Sequence, residues 1–423
     1  MKTNKSILAV LLIFSFALSA CAGFAPEDEP ITGDFGAQYT PQEHQTRVFD
    51  AIQKHLVDNY IYYESAELDW DALFDEYHAR ISDGLTNDEF NALMLEFTGK
   101  LPEGALLFQS RDERIAAETE STSTYEGIGA FIGFDAEAVP HIIVLGVIEG
   151  SPAEQAGIRA HDSIYAIDGN PILLEEGIDV VKRVRGPAGS VVTLNVQTPG
   201  KPERTVEVTR AQLVSASQIE ARQIDVQGAP YGYILFPVIN NDSLFKDLLA
   251  NLQKLTTNQK LEGLVLDLRV AGSSRGWPLE ELLKLFHDGK VGTFYNSQEI
   301  EQSVSVTGAD LFGSQSVPLI ILVGQHTSGS PEILAAALQA NKRAIVIGET
   351  TPGAIEATTL FYLPDGSRIF IETSSFKLPN GEDLGRNGVQ PQITIDAGWD
   401  DILPAHDPVL EKALELLSAG PAQ

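Results

Sequence analysis

The chain has 423 residues, and a length of that order calls for two or three domains rather than one core. A formal net charge of −30 keeps the protein soluble and repels nucleic acid and anionic lipid, without identifying a substrate. Cys21 is the only cysteine, which excludes an intramolecular disulfide.

The first residues read as a leader. Lys2 and Lys5 give a positive start, and 7–18 is an apolar run. That run falls short of the ~20 residues that span a bilayer and suits a secretory signal. It ends Leu18-Ser19-Ala20-Cys21, which resembles a bacterial lipobox, where the thiol accepts a diacylglyceryl group. The expectation is a signal peptide over 1–20, lipidation at Cys21 and an extracytoplasmic protein anchored in a bacterial cell envelope. A plain signal peptide with a chance cysteine is the alternative. Removal of Lys2 and Lys5 with the leader makes the charge −32. Residues 21–38, rich in Pro, Gly and acidic side chains, are read as a flexible tether.

Residues 39–112 are expected to be helical. Apolar residues recur at helical spacing: Val48, Ile52, Leu56, then Leu68, Trp70, Leu73, then Phe90, Leu93, Met94. Thr86 with Glu89 three residues on has capping-box spacing and opens the last helix. Over 113–212 the pattern turns to short strands broken by glycine, with a helix start at Ser151-Pro152. Its segments, from Tyr125-Glu126-Gly127-Ile128-Gly129-Ala130 through Arg185-Gly186-Pro187-Ala188-Gly189, resemble a PDZ domain in order. Gly127, Ile128, Gly129 and Ala130 are then the peptide-binding residues: a glycine loop with N–H groups for a terminal carboxylate, followed by an open strand edge.

From 213 to 423 strands and helices alternate. Strands are expected over 233–238, 261–268, 317–323 and 344–347, and helices over 244–255, 279–286 and 331–339, with a last helix from Asp407 to Leu417. The near-continuous apolar run 261–268 suits a strand buried on both faces of a largely parallel sheet.

Leu266-Asp267-Leu268-Arg269, the Glu332-Ile333-Leu334-Ala335 helix, Ile347-Gly348-Glu349-Thr350-Thr351 and Gly388-Val389-Gln390-Pro391 add to this order of parts. Together, over roughly 45–417, they resemble the carboxyl-terminal processing peptidases, also called tail-specific serine proteases. The resemblance implies an α/β multidomain fold: a helical N-terminal part, a PDZ-like β domain and an α/β core of the crotonase and Clp-protease group. It also implies a serine nucleophile activated by lysine. The nucleophile precedes the helix glutamate by three residues, which here is Gly329; the lysine position is Ala354, and the polar residue four further on is Thr358. The oxyanion loop, a Gly-Gly pair in the family, here reads Gly272-Ser273-Ser274, and Leu101-Pro102-Glu103-Gly104 lacks the family's Asp-Pro-His.

Ser328 and Ser330 are the remaining candidate nucleophiles. Ser330 reads as the N-cap of the following helix, and Ser328 would need a shifted loop with His326 as base. Lys342 and Arg343 read as satisfying that helix's C-terminus. No lysine lies within ten residues of Ala354. The eight histidines show no metal-binding spacing and no phosphate loop is present, so no metal or cofactor is expected. Three readings follow. The chain is a lipid-anchored binder of polypeptide C-termini or extended segments with a degraded Ser/Lys dyad, acting alone, as a homo-oligomer or beside an active homologue. Alternatively it is an active serine endopeptidase using Ser330 or Ser328, or an envelope protein that uses the core to oligomerise.

Overall fold

The computed structural model describes residues 41–102, 104–119, 124–136, 139–214, 219–273, 276–403 and 405–420. The leader, Cys21, the tether, Glu103 and Ser274 lie outside the described residues. No helix among those described is long and apolar enough to cross a membrane. The chain divides into two compact units. One takes residues up to Ala117 with Asn296–Ile300 and Ala357–Ser374; the other takes Glu118–Tyr295, Glu301–Glu356 and the chain from Ser375.

The first unit is built on helices Pro41–Asn59, Trp70–Ile81 and Asn87–Thr98. Their apolar residues meet on one side: Phe49 stacks or edges against Phe74, Tyr77 and Phe97 at centroid distances of 6.3, 6.1 and 5.1 Å. Thr86 and Glu89 form the capping box, with the Thr86 N–H donating to Glu89 at 2.8 Å. The unit is not purely helical. Strand Leu106–Gln109 pairs antiparallel with 368–371, which pairs in turn with Ala357–Tyr362. Phe361, Leu363, Ile369 and Ile371 complete the helical core, so residues from far downstream in the chain finish it.

In the second unit an antiparallel sheet runs in the order Ala130–Asp135, His141–Val147, Ser163–Ile167, Val191–Gln197, Arg204–Thr209. Ala130–Asp135 lies at its edge. Ser151 caps the short helix Pro152–Gln155 with Pro152 at the first position. This is the expected PDZ-like β domain, around Ile142, Val144, Ile164, Val192 and Leu194.

The α/β core follows. Strands Ala229–Leu235, Gly263–Asp267, Leu319–Val323, Ile345–Gly348 and Ile393–Thr394 are parallel, with Glu220–Val226 antiparallel at one edge. Alternate residues sort to opposite faces, as a period of two requires. Leu264, Leu266, Leu319 and Ile321 pack with helices Leu244–Thr256, Leu279–Phe286 and Ser330–Ala340, while Val265, Ile320 and Leu322 meet Val409, Leu410 and Ala413 of Pro408–Ala419. The strand expected over 233–238 is Ala229–Leu235. Its hairpin with Glu220–Val226 carries the start back, and Val238 falls in the next loop.

One polar network ties these parts together. Asp267 is fully buried at a strand end and accepts from the Tyr233 hydroxyl at 2.8 Å. Arg269, 5% exposed, donates to Asp267 (2.6 Å) and to Asp407 (2.7 and 3.1 Å). Asp407 caps the last helix by accepting from Val409 and Leu410 N–H groups. Burial works against charge on the guanidinium, but the two carboxylates overcome it and hold Arg269 protonated. Burial likewise raises the Asp407 carboxyl, yet Arg269 and the two N–H groups leave it below the ordinary range. Arg269 also lies over the Trp399 ring, 5.2 Å from its centroid. Trp399 docks the PDZ-like sheet onto the core, donating from Nε1 to the Val144 carbonyl and packing with Ile143, Leu145, Val270 and Ile402. Arg269→Ala strands a buried Asp267, and a loss of about 3–5 kcal/mol is expected from urea unfolding.

Candidate functional site

Ligand sites in parallel sheets form beyond the carboxyl ends of the strands. Here three loops leave those ends: the segment after Asp267, residues 324–329 after Val323, and the segment after Gly348. Glu332 locks two of them. It is fully buried and accepts from Gly329 N–H (2.9 Å), Gly353 N–H (2.7 Å) and the Thr351 hydroxyl, with Ala354 N–H adding to the set. Burial pushes its carboxyl above the usual range, and these donors offset part of that shift.

Gly329 has φ +74°, and a β-carbon built on it would point at Ser273 and towards the Ala354 carbonyl, 3.8 Å away. The structure therefore brings together three positions singled out from sequence: Gly329, Ala354 and Ser273. The same β-carbon would stand 2.1 Å from Ser273 Oγ, so the Ser273 hydroxyl occupies the place a side chain at 329 would need. That hydroxyl accepts the Ser330 N–H at 3.1 Å.

The neighbouring backbone donors are engaged too. Gly272 N–H donates to the Val238 carbonyl (3.2 Å), Ser273 N–H to Ser328 (3.2 Å) and Ser328 N–H to Ala271 (3.0 Å). Gly272 and Ser328 form a parallel bridge that zips one loop to the next. An oxyanion hole needs preorganised donors free to meet a developing charge. Among the described residues of this slot, each of these N–H groups already has an internal acceptor.

The alternative nucleophiles fare differently from expectation. Gly329 is the N-cap of Ser330–Ala340, and Ser330 is the first helical residue with Pro331 second. The cap moves back one residue because a glycine at positive φ makes the turn and Glu332 reaches back to it. Among the described residues no hydrogen bond joins the Ser328 or Ser330 hydroxyl to a lysine or histidine. His326 instead packs against the PDZ-like domain, where a β-carbon on Gly133 would meet its ring at 2.7 Å. Burial lowers its pKa, against the pull of Asp135 and Asp400. Arg343 satisfies its own helix through its N–H, which donates to the Leu338 carbonyl at 2.8 Å, but its side chain goes elsewhere. It donates to the carbonyls of Phe286, Ser314 and Val317, fastening the end of another helix. Thr358 lies in strand Ala357–Tyr362 of the first unit.

Gly127, Ile128, Gly129 and Ala130 line one apolar cavity of about 400 Å³, closed by Ile178, Val181, Val184 and Arg185. Val238 and Ile239 of the core form part of its wall. Because Val238 also accepts from Gly272, the cleft and the 272–273 loop share a backbone segment.

Residues 230–395 match peptidase family S41, residues 143–198 a PDZ domain and residues 41–99 the Tricorn protease C1 domain. The fold is similar to that of the photosystem II D1 C-terminal processing protease, with a TM-score of 0.65 at 24% identity over 89% of this chain and 98% of that one. Mature CPAF superposes with a TM-score of 0.57 at 12% identity, over 90% of this chain and 99% of that one. Core, cleft and helical unit thus define a PDZ-containing protein of the serine-peptidase class. Residues 230–395 are a peptidase family S41 domain, and with the PDZ and Tricorn C1 matches the chain has a domain set consistent with the carboxyl-terminal processing peptidases. It is 29% identical to the carboxyl-terminal-processing protease of Synechocystis sp., over 72% of this chain and 71% of that protein. It is 34% identical to that of Picosynechococcus sp. over 62% and 64%, and 29% identical to carboxy-terminal processing protease CtpB of Bacillus subtilis over 64% and 56%. The matched stretch therefore spans less than two thirds of the last two relatives.

The contact between positions 329 and 273 is open to measurement. Gly329→Ala is expected to cost about 2 kcal/mol through its positive φ and the meeting with Ser273. Adding Ser273→Gly should recover part of that loss, and thermal unfolding of the singles and the double reads the coupling.

Proposed function

We propose that this chain binds polypeptide C-termini through its PDZ-like cleft and does not cut them. The observation that carries this reading is the slot at position 329. It holds no side chain of its own, it is filled by the Ser273 hydroxyl, and its surrounding N–H groups are engaged within the protein. A nucleophile position without a hydroxyl and a base position occupied by Ala354 leave general-base activation without either partner. The cleft keeps what binding needs: an apolar pocket at Gly127 to Ala130 and an edge strand on which a peptide can add. The binding partner is a free carboxyl terminus with an apolar last side chain.

The test uses the full chain in detergent with unstructured peptides ending in apolar residues. Saturable binding is expected, weakened about 10-fold or more when the terminal carboxylate is amidated. No cleavage should accompany it. Turnover lost on Ser328→Ala or Ser330→Ala would overturn the non-proteolytic reading.

The proposal extends to location: a bacterial envelope, with the chain held by lipid on Cys21. Support comes from the apolar run 7–18 and the Leu18-Ser19-Ala20-Cys21 end. Metabolic labelling with a radioactive fatty acid should mark the unaltered chain and leave Cys21→Ala unmarked. Equal labelling of both would remove the anchor.

A further inference from the structure

The second unit contains a cluster that neither the peptide cleft nor the 329 slot uses. Asp135 ends the edge strand Ala130–Asp135 and is the cross-strand partner of His141, which begins the next strand. Asp400 comes from the core, in the turn Trp399–Asp401, 259 residues beyond His141. One ligand-capable atom from each of the three lies within 4.8 Å of the others. Residue spacing gives no hint of this group, because it forms only when the PDZ-like sheet meets the core.

The imidazole is held as a ligand would be. His141 Nδ1–H donates to the Val139 carbonyl at 2.9 Å, which fixes the ring and turns Nε2 inward. Nε2 then lies 2.9 Å from Asp400 Oδ2, and the Ser163 hydroxyl donates to that same oxygen at 2.8 Å. An outer N–H on a carbonyl and an oriented carboxylate are the usual supports of a metal-binding histidine. Nor is Asp400 on a free surface loop. The adjacent Trp399 is buried, its ring packs on His161 at 4.2 Å, and its carbonyl accepts from His161 Nδ1 at 2.6 Å. A cavity of about 400 Å³ opens beside the group, and Glu349, Asp396 and Asp401 also line it. Its one arginine, Arg269, already serves Asp267 and Asp407. Negative charge therefore converges on the position between Nε2 and the two carboxylates.

We propose that Asp135, His141 and Asp400 form a site for a divalent transition-metal cation, with Zn²⁺ its best-suited occupant. One imidazole nitrogen with two carboxylate oxygens suits zinc or manganese, whereas calcium and magnesium prefer oxygen alone. Zinc bonds of ~2.0–2.2 Å require ligand atoms close to one another, and the three candidate atoms already lie within 4.8 Å. Three protein ligands leave a fourth position facing the cavity. Two ligands belong to the PDZ-like sheet and one to the core, so the ion clamps one to the other. This inference stands whether or not the 329 slot is silent.

The full chain in detergent, stripped with a chelator, is titrated with Zn²⁺ against a chromophoric competitor and melted with and without the ion. One equivalent should bind, and Asp135→Asn and Asp400→Asn should each bind about 10-fold or more weakly. Zinc should raise the Tm of the unaltered chain and leave that of the variants unmoved. Asp135→Asn is the more telling variant, because it keeps the His141 contact with Asp400. Should the variants fail to fold, the Co²⁺ form of the unaltered chain decides, with a tetrahedral visible band expected. Zinc held equally by both variants would mark adventitious binding and overturn the site. Absence of zinc binding, or of the cobalt band, would overturn it equally and leave His141 and Asp400 as an ion pair only.

Discussion

A buried carboxylate, Glu332, sets the geometry of the whole slot. A charge away from water must be paired or hydrogen-bonded, and Glu332 meets that demand with donors from two separate loops. Gly329 lies at the end of one and Gly353 and Ala354 on the other, so neither loop can drift without releasing a bond to a charged group. Such bonds are worth about 1.5–3 kcal/mol each. The frame at 329 and 353–354 is therefore kept by Glu332, whatever side chains those positions carry.

A second constraint holds the slot to the rest of the unit. Asp267 and Arg269 sit at the end of a central strand, and through Asp407 and Trp399 they fix both the last helix and the PDZ-like sheet. The wall of the peptide cleft at Val238 is hydrogen-bonded to Gly272. Cleft, slot and Trp399 turn consequently form one connected region, in which strand ends supply rigidity and loops supply contact.

Much of this was legible in the sequence, for reasons that are local. The capping box at Thr86 and Glu89 and the Ser151-Pro152 helix start are short-range devices, and each occurs as read. The doubly buried strands Gly263–Asp267 and Leu319–Val323 follow from apolar runs that face two layers at once. What was not legible is long-range. Nothing in the spacing announces that 357–374 completes the first unit, or that Asp400 reaches His141. The place of Ser273 was also hidden: a serine in a loop reads as a lost glycine, and only the β-carbon direction at Gly329 reveals what it fills. The helix start moved by one residue because a reach-back from Glu332 outweighed the capping preference of Ser330.

The engaged hydroxyl of Ser273 has a consequence for what position 329 can carry. A lone mutation that gave position 329 a side chain would meet that oxygen at once, in a backbone conformation already unfavourable for anything but glycine. Positions 329 and 273 therefore share one small volume, and a side chain placed at either is felt at the other.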